Sequence, residues 1–309
     1  MKKFLFLFML LLVPALLSCE KREQHNSGKL KVVTTLFPLF DFARQIGGDK
    51  IDVTLLLPPG MEPHSFEPKP DDIIRVSRAD IFIFTNRYME PWAAQIAEAA
   101  AQKGLTVDAS RGVNLYKAGE EKAEEDGHGH RAGRVDPHVW LDFDNDRIMV
   151  DNILAAFVAK DPANRQYYTA NAVAYKAKLA DLDGRFKVGL SRCATRDFLH
   201  GGHFAFGYMA RRYNLHYQSA YALNAEAEPT AGKLTSLIRQ MRSSGLKYIY
   251  TEELLNPRVA ETIARETGAQ LLRLHGAHNI GKADFDRGVT FISLMEENLK
   301  NLRTGLQCP

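Results

Sequence analysis

The chain has 309 residues, 45% of them hydrophobic and 25% charged, enough for two modest domains with a core each. Lys and Arg number 40 against 37 Asp and Glu, and setting aside Lys2 and Lys3, which fall in a segment expected to be removed, 38 face 37. So near-neutral a balance excludes the footprint of a nucleic-acid binder and of a purely charge-driven membrane surface.

Lys2 and Lys3 open the chain, and Phe4 to Leu17 is an apolar run of 14 residues without a charge. That is short for a bilayer-spanning helix, which takes roughly 20 residues, and suits a signal peptide. The run ends in Leu16-Leu17-Ser18-Cys19, similar to the bacterial lipobox, whose cysteine is diacylated and becomes the mature N-terminus. A plain signal peptide with an incidental cysteine is the alternative. The expectation is a signal peptide over 1–18 and a lipidated tether over 19–29, polar and without apolar periodicity. No later apolar run approaches spanning length, so the rest is expected outside the membrane.

Lys31 to Leu36 reads as a β-branched strand, followed by a helix carrying Phe40, Phe42, Ala43 and Ile46 and closed by Gly47-Gly48. Ile51 to Leu57 is a second strand ending at Pro58-Pro59-Gly60. A helix over 69–78 leads into the strand Ile81 to Thr85, an Ala-rich helix over 90–103 follows, and Leu105 starts the next strand. Strands alternating with helices predict an α/β fold, its mostly parallel sheet covered on both faces.

The stretch 146–190 reads as helical, broken only near Asp161-Pro162, with Tyr168, Ala172, Tyr175, Leu179 and Leu182 at helical spacing. A single helix of about 28 residues from Pro162 to Leu190 would span about 42 Å, a stiff strut. Beyond it the first plan repeats. EPTAGKLTSLIRQMRSSGLKYIYTE (228–252) parallels EPKPDDIIRVSRADIFIFTN (67–86), and HGGHFAFGYMARRYN (200–214) parallels TTLFPLFDFARQIGG (34–48). The reading is two lobes of one design: an N-terminal lobe over 30–160, a linking helix over 161–190 and a C-terminal lobe over 191–309. Asp284 to Leu302 reads as one closing helix.

Residues 117–134, KAGEEKAEEDGHGHRAGR, are polar, acidic and glycine-rich, a surface loop whose His128 and His130 could capture metal weakly or be merely solvated. Besides Cys19 only Cys193 and Cys308 remain; two cysteines in an exported protein suggest one disulfide. A thiolate metal site is not expected.

A lone histidine is most often structural, so placement decides. His64, in PPGMEPHSFEP, follows a strand end; His138, in VDPHVWLD, sits at a turn; His203 follows the strand DFLHGG; and His275 follows the apolar segment 270–274. Two fall in each lobe, near the carboxyl ends of predicted strands, where open α/β sheets bind ligands. Imidazole ligation favours Zn²⁺, which takes about four ligands in tetrahedral geometry, over Mn²⁺, which draws on carboxylates and water. Zn²⁺ is the expected ion and Mn²⁺ the alternative.

At these residues the chain resembles the metal-binding lipoproteins of ABC transporters, the zinc and manganese solute-binding proteins of the zinc-uptake protein A type. PHSFEP, DPHVWLD and HFAFGYMARRYNL, with His64, His138 and His203, are similar to that family's three ligand motifs, and TEELLNPRVAETIARETGAQ (251–270) to its next signature. The resemblance implies two pseudo-symmetric lobes, a rigid connecting helix, a metal buried between the lobes, and delivery to an ABC permease with its ATPase. It departs at the fourth ligand. The family commonly carries an aspartate after the last strand, and here Leu274-His275-Gly276-Ala277-His278 stands. His275 matches that position, with His278 or a water as rivals; Gly276 after it would permit a tight turn. His200 is read as a spare ligand or, preferably, as a residue supporting a ligand or lying at the strand-end surface. Glu67 and Asp142 are read as helix caps or histidine-orienting groups, and Trp140 and Phe206 as packing around the site.

A zinc hydrolase also holds its metal with three histidines, but no HExxH and no GxSxG is present. A surface adhesin is a third reading. The expectation is a monomeric, exported, lipid-anchored metal-binding protein and not an enzyme.

Overall fold

A computed structural model describes residues 28–100, 104–118, 134–223 and 228–309. Cys19, His128 and His130 lie outside the described residues. No helix among the described residues is long and apolar enough to cross a membrane.

The first half runs β1 (Leu30–Thr34), α1 (Phe37–Gly47), β2 (Ile51–Leu55), α2 (Pro70–Ser77), β3 (Ile81–Phe84), α3 (Pro91–Ala100) and β4 (Leu105–Asp108). These strands form one parallel sheet in the order β2-β1-β3-β4. A two-residue antiparallel pair, β5 (Lys117–Ala118) with β6 (Arg134–Val135), brackets the segment expected to loop out. Then come α4 (Phe143–Lys160) and α5 (Arg165–Gly189).

The second half runs β7 (Asp197–His200), α6 (Gly207–Arg212), β8 (His216–Ser219), α7 (Ala231–Ser243), β9 (Tyr248–Thr251), α8 (Arg258–Thr267), β10 (Gln270–Arg273), α9 (Lys282–Asp286) and α10 (Phe291–Gly305). Its sheet is also parallel, in the order β10-β9-β7-β8. Counted from each half's first strand, both sheets have the order second-first-third-fourth. The repeat read from weak sequence parallels is therefore a repeat of topology.

β3 (IFIF) is buried along its whole length, as a parallel strand covered on both faces must be. In α5 the buried stripe is Tyr168, Ala172, Tyr175, Leu179, Leu182 and Phe186, the predicted face extended by one turn. The strut is 25 residues and not about 28, because Pro162–Asn164 forms a separate 3-10 turn ahead of it. The expected closing helix is two. α9 stops near Gly288, whose φ of 71° leaves the helical region, and Thr290 caps α10 with its side chain accepting from Ser293 N at 3.2 Å.

α10 returns across the molecule to α1 and α5. Phe42 of α1 meets Phe291 edge-to-face at 5.1 Å and Tyr175 at 5.6 Å. Such pairs contribute about 0.5–1.5 kcal/mol beyond the area they bury. Asp41 accepts the first backbone N–H of α10, from Phe291, at 2.9 Å, a carboxylate at a helix N-terminus. One continuous apolar cluster therefore runs from the first sheet through the strut to the second. Arg212 of α6 adds a polar tie, reaching Asp142 (2.7 Å) and Asp144 (2.8 Å) at the start of α4 and Asp183 of α5 (2.7 Å). Cys193 and Cys308 are disulfide-bonded, fixing the α5–β7 connection to the C-terminal segment.

Candidate metal centre

Four histidines converge where the carboxyl ends of the two sheets meet: His64, His138, His203 and His278. His64 lies beyond β2, past the turn at Pro58-Pro59-Gly60. His203 follows β7 after Gly201-Gly202, and His278 sits in the loop after β10. His138 stands between β6 and the 3-10 turn Val139–Leu141 that enters α4. One ring nitrogen from each lies within 4.8 Å of all the others. All are buried except His64, which is partly exposed.

The ring orientations are fixed from behind. His203 Nδ1 lies 2.7 and 2.8 Å from the two carboxylate oxygens of Glu252, whose Oε2 also accepts the His203 backbone N–H at 3.1 Å. Asp136 holds His138 in the same manner, 2.7 Å from Nδ1 and 3.0 Å from the backbone N–H. A carboxylate at Nδ1 makes that nitrogen the donor and leaves Nε2 a bare lone pair. His203 Nε2 nonetheless lies 3.1 Å from both His138 Nε2 and His278 Nε2, and His64 Nε2 is buried without a partner. Lone pairs turned on one another repel unless a cation lies among them. Ligands at about 2.0–2.1 Å around tetrahedral Zn²⁺ stand about 3.3–3.4 Å apart, near the 3.1 Å of the His203–His138 and His203–His278 pairs, with all four nitrogens inside 4.8 Å of one another.

The electrostatics ask for the same charge. Burial drives His64 down to about 2 and His138 well below the usual histidine range, with neighbouring imidazoles adding to both. Burial also opposes a charge on His203, but Glu252 outweighs it, and His203 is the imidazole raised above its ordinary value. Burial pushes Asp136 up to about 8, opposed by the His138 N–H and by His203, so its ionised form depends on positive charge in the cluster.

His275, the expected fourth member, stands outside the group. Its backbone is pinned to the second lobe, donating to Asn298 Oδ1 at 2.7 Å and accepting from Asn298 Nδ2 at 2.8 Å. Its Nδ1 accepts the Ala277 N–H at 2.9 Å and lies 3.1 Å from Glu253 Oε1. The turn is made one residue later than expected, at Ala277, which has a φ of 59°. That left-handed residue swings His278 into the cluster, a strain of the kind found at functional sites. Gly276 serves space: a Cβ there would lie 2.7 Å from His278 Nδ1.

His200 is buried at the end of β7, with Nδ1 3.3 Å from the His203 carbonyl, and is not one of the four. Burial lowers it to about 4. Trp140 packs on the rings of His138 (5.5 Å) and His278 (5.4 Å), and its indole N–H reaches the Gly276 carbonyl across the cleft at 2.8 Å. Phe206 packs on His200 at 4.9 Å. Asp142 caps α4, accepting from Asp144 N at 2.8 Å, and Glu67 is exposed; neither orients a cluster histidine. The residues missed in the sequence are Asp136 and Glu252. Asp136 stands two places before His138, and Glu252 directly follows the strand end at Thr251. In the first lobe the matching position after Thr85 is Asn86, which donates to the Pro137 carbonyl at 3.3 Å and so steadies the His138 segment.

Two like-wound lobes meeting over four imidazoles define a two-lobed solute-binding protein whose solute is a metal ion. Residues 32–305 match the family described as ZnuA, zinc-uptake complex component A, periplasmic, and the chain belongs to that family. It is 36% identical over 293 residues to the high-affinity zinc uptake system protein ZnuA of Bacillus subtilis (strain 168), covering 94% of this chain and 92% of that one. It is 33% identical over 306 residues to the zinc-binding lipoprotein AdcA of Streptococcus pneumoniae (strain ATCC BAA-255 / R6), covering 98% of this chain but 61% of AdcA. The crystal structure of the Zn(II)-bound ZnuA-like domain of S. pneumoniae AdcA superposes with a TM-score of 0.77 at 32% identity, over 90% of this chain and 99% of that one. The laminin-binding protein Lmb of Streptococcus agalactiae, described as bifunctional with adhesin and metal transporting activity, superposes at 0.79 and 25% identity over 90% and 99%.

Proposed function

We propose that this protein is an extracytoplasmic lipoprotein, anchored through Cys19, that captures one Zn²⁺ between its lobes and hands it to an ABC permease driven by its ATPase. His64, His138, His203 and His278 are the ligands in this reading. The observation that carries it is His203: its Nδ1 is committed to Glu252 while its Nε2 faces two other Nε2 atoms at 3.1 Å. The absence of a carboxylate among the four favours Zn²⁺ over Mn²⁺. Charge balance comes from behind the ligands instead, from Asp136 and Glu252, and from Glu253, which burial would raise but His275 and His278 hold at about 2. Four protein ligands close a tetrahedral shell, whereas catalytic zinc keeps a position open; this supports a carrier and not a hydrolase. The names of the relatives agree, with zinc uptake in one and zinc binding in the other.

Titration of metal-stripped protein with Zn²⁺, followed by competition with Mn²⁺, tests the reading. One tightly held Zn²⁺ per chain that excess Mn²⁺ fails to displace is expected. Displacement by Mn²⁺ at comparable concentration would overturn the assignment of the cargo.

A further inference from the structure

The four histidines are not held alike. His138, His203 and His278 are fully buried, whereas His64 is partly exposed on the irregular segment between β2 and α2. What ties that segment to the opposite lobe comes from the loop that carries His278. Asn279, itself wholly buried, donates both N–H groups of its side-chain amide across the cleft, to the carbonyls of Pro58 (2.6 Å) and Met61 (2.9 Å). Its Oδ1 accepts the Ile280 N–H at 2.9 Å, which fixes the direction of the amide. The Ile280 carbonyl in turn accepts from Gly60 N at 2.8 Å. From α1 of the first lobe, Phe37 N also reaches this loop, donating to the His278 carbonyl at 3.1 Å.

We propose that Asn279 is a positioning residue that fastens the His64 segment to the His278 loop, so that the two ligands engage and let go together and the captured ion leaves only when this latch opens. The inference rests on the four-histidine reading and deepens it. An amide suits the task. It offers two donors to two carbonyls and an acceptor to its own loop, where a carboxylate would face both carbonyls with oxygen and a hydroxyl would reach only one. The Asn279 end of both bonds is buried while Pro58 and Met61 are exposed residues, so the bonds are partly shielded from water and their loss leaves the Asn279 side of the cleft without its polar tie. Breaking the Asn279 bonds leaves the segment tied across the cleft through the Gly60–Ile280 backbone bond but loosens His64, the one ligand residue that is partly exposed, without removing any donor atom from the set of four.

The test is zinc release from the full chain into a chelating dye, followed by stopped flow, for wild type and Asn279→Ala. Loss of a residue that orients a ligand typically weakens metal binding about 10–100-fold, and here the loss is expected as a dissociation rate faster by about that factor. With Co²⁺ bound at saturation, the variant should keep the wild-type visible spectrum, since the same four nitrogens ligate; His64→Ala should change it. A wild-type release rate, or a Co²⁺ spectrum like that of His64→Ala, would overturn the proposal. Should Asn279→Ala not fold, hydrogen exchange on the wild type decides. Amides of 58–64 and 276–281 should gain protection together on adding Zn²⁺, and protection gained by one segment alone would contradict the latch. If wild type holds one Zn²⁺ and His278→Ala loses it while Asn279→Ala releases at the wild-type rate, the latch fails and the metal site stands.

Discussion

Gly276 lacks a side chain where the imidazole of His278 needs the room: a Cβ would press on the ring, 2.7 Å from Nδ1. Real Cβ atoms do not come so close, so Gly276→Ala must push His278 out of the cluster or reshape the loop. The expected result is a folded protein whose zinc affinity falls at least about 10-fold, the scale for disturbing a ligand's support. Isothermal titration against Zn²⁺ reads this, and an unchanged affinity would show that the ring has somewhere else to go.

Within the same loop, His278→Ala should abolish tight zinc binding, while His275→Ala should leave most of it. His278 Nε2 faces His203 at 3.1 Å, whereas His275 is committed to Ala277, Asn298 and Glu253. His278→Asp should keep zinc and gain Mn²⁺ binding, because it places an oxygen donor in the shell. Competition titrations of the three variants check the set, and the reverse order for the two alanine variants would return the fourth position to His275.

Glu252 acts through His203. Glu252→Gln keeps the size but offers Nδ1 no charge and can turn a donor toward it, so zinc affinity should fall about 10–100-fold. Gly202 serves the same contact. A Cβ there would crowd the Glu252 carboxylate and lie 2.6 Å from His200 Cε1. Gly202→Ala should therefore lower affinity alongside Glu252→Gln, and the double variant should be little worse than either, since both undo one contact. Full additivity in that cycle would sink the link between them.

Away from the metal, Asp183 gives the fold an acid limb. Burial pushes its carboxyl up, but Arg212, Lys187 and Tyr213 outweigh it and hold it well below the usual carboxylate range. A folded value below the unfolded one, about 3.9, contributes stability that is present above about pH 4. That contribution is lost as pH falls through the folded value. Asp183→Asn should therefore be less stable than wild type near neutrality, with the difference shrinking toward pH 2. Denaturant unfolding of metal-free protein at several pH values measures it; a constant difference across that range would contradict the pairing.

Much of this was legible in residue order because it depends on local spacing. The stripe Tyr168, Ala172, Tyr175, Leu179 and Leu182 announced a helix, and the paired Glu-Pro segments announced two lobes of one topology. Three of the four clustered histidines stood in motifs. The fourth position could not be read the same way. His275 and His278 both follow β10, and the choice between them turns on the backbone of Ala277, an alanine in a conformation that sequence assigns to glycine or asparagine. The break between α9 and α10 was hidden for a similar reason: Phe291, Leu294, Met295 and Leu299 keep a helical period, and the interruption at Gly288 precedes them. Asp136 and Glu252 looked like ordinary acidic residues until the fold set them behind His138 and His203.

The central claim is that four imidazoles, and nothing else, form the shell around one Zn²⁺. X-ray absorption at the zinc edge on protein carrying a single equivalent of zinc measures that shell directly. Four nitrogen scatterers at about 2.0–2.1 Å with the outer-shell pattern of four imidazole rings are expected, reduced to three in His278→Ala when that variant is loaded at the higher zinc concentration its weakened site requires. A mixed nitrogen and oxygen shell with three rings or fewer in the wild type, unchanged in His278→Ala, would contradict it.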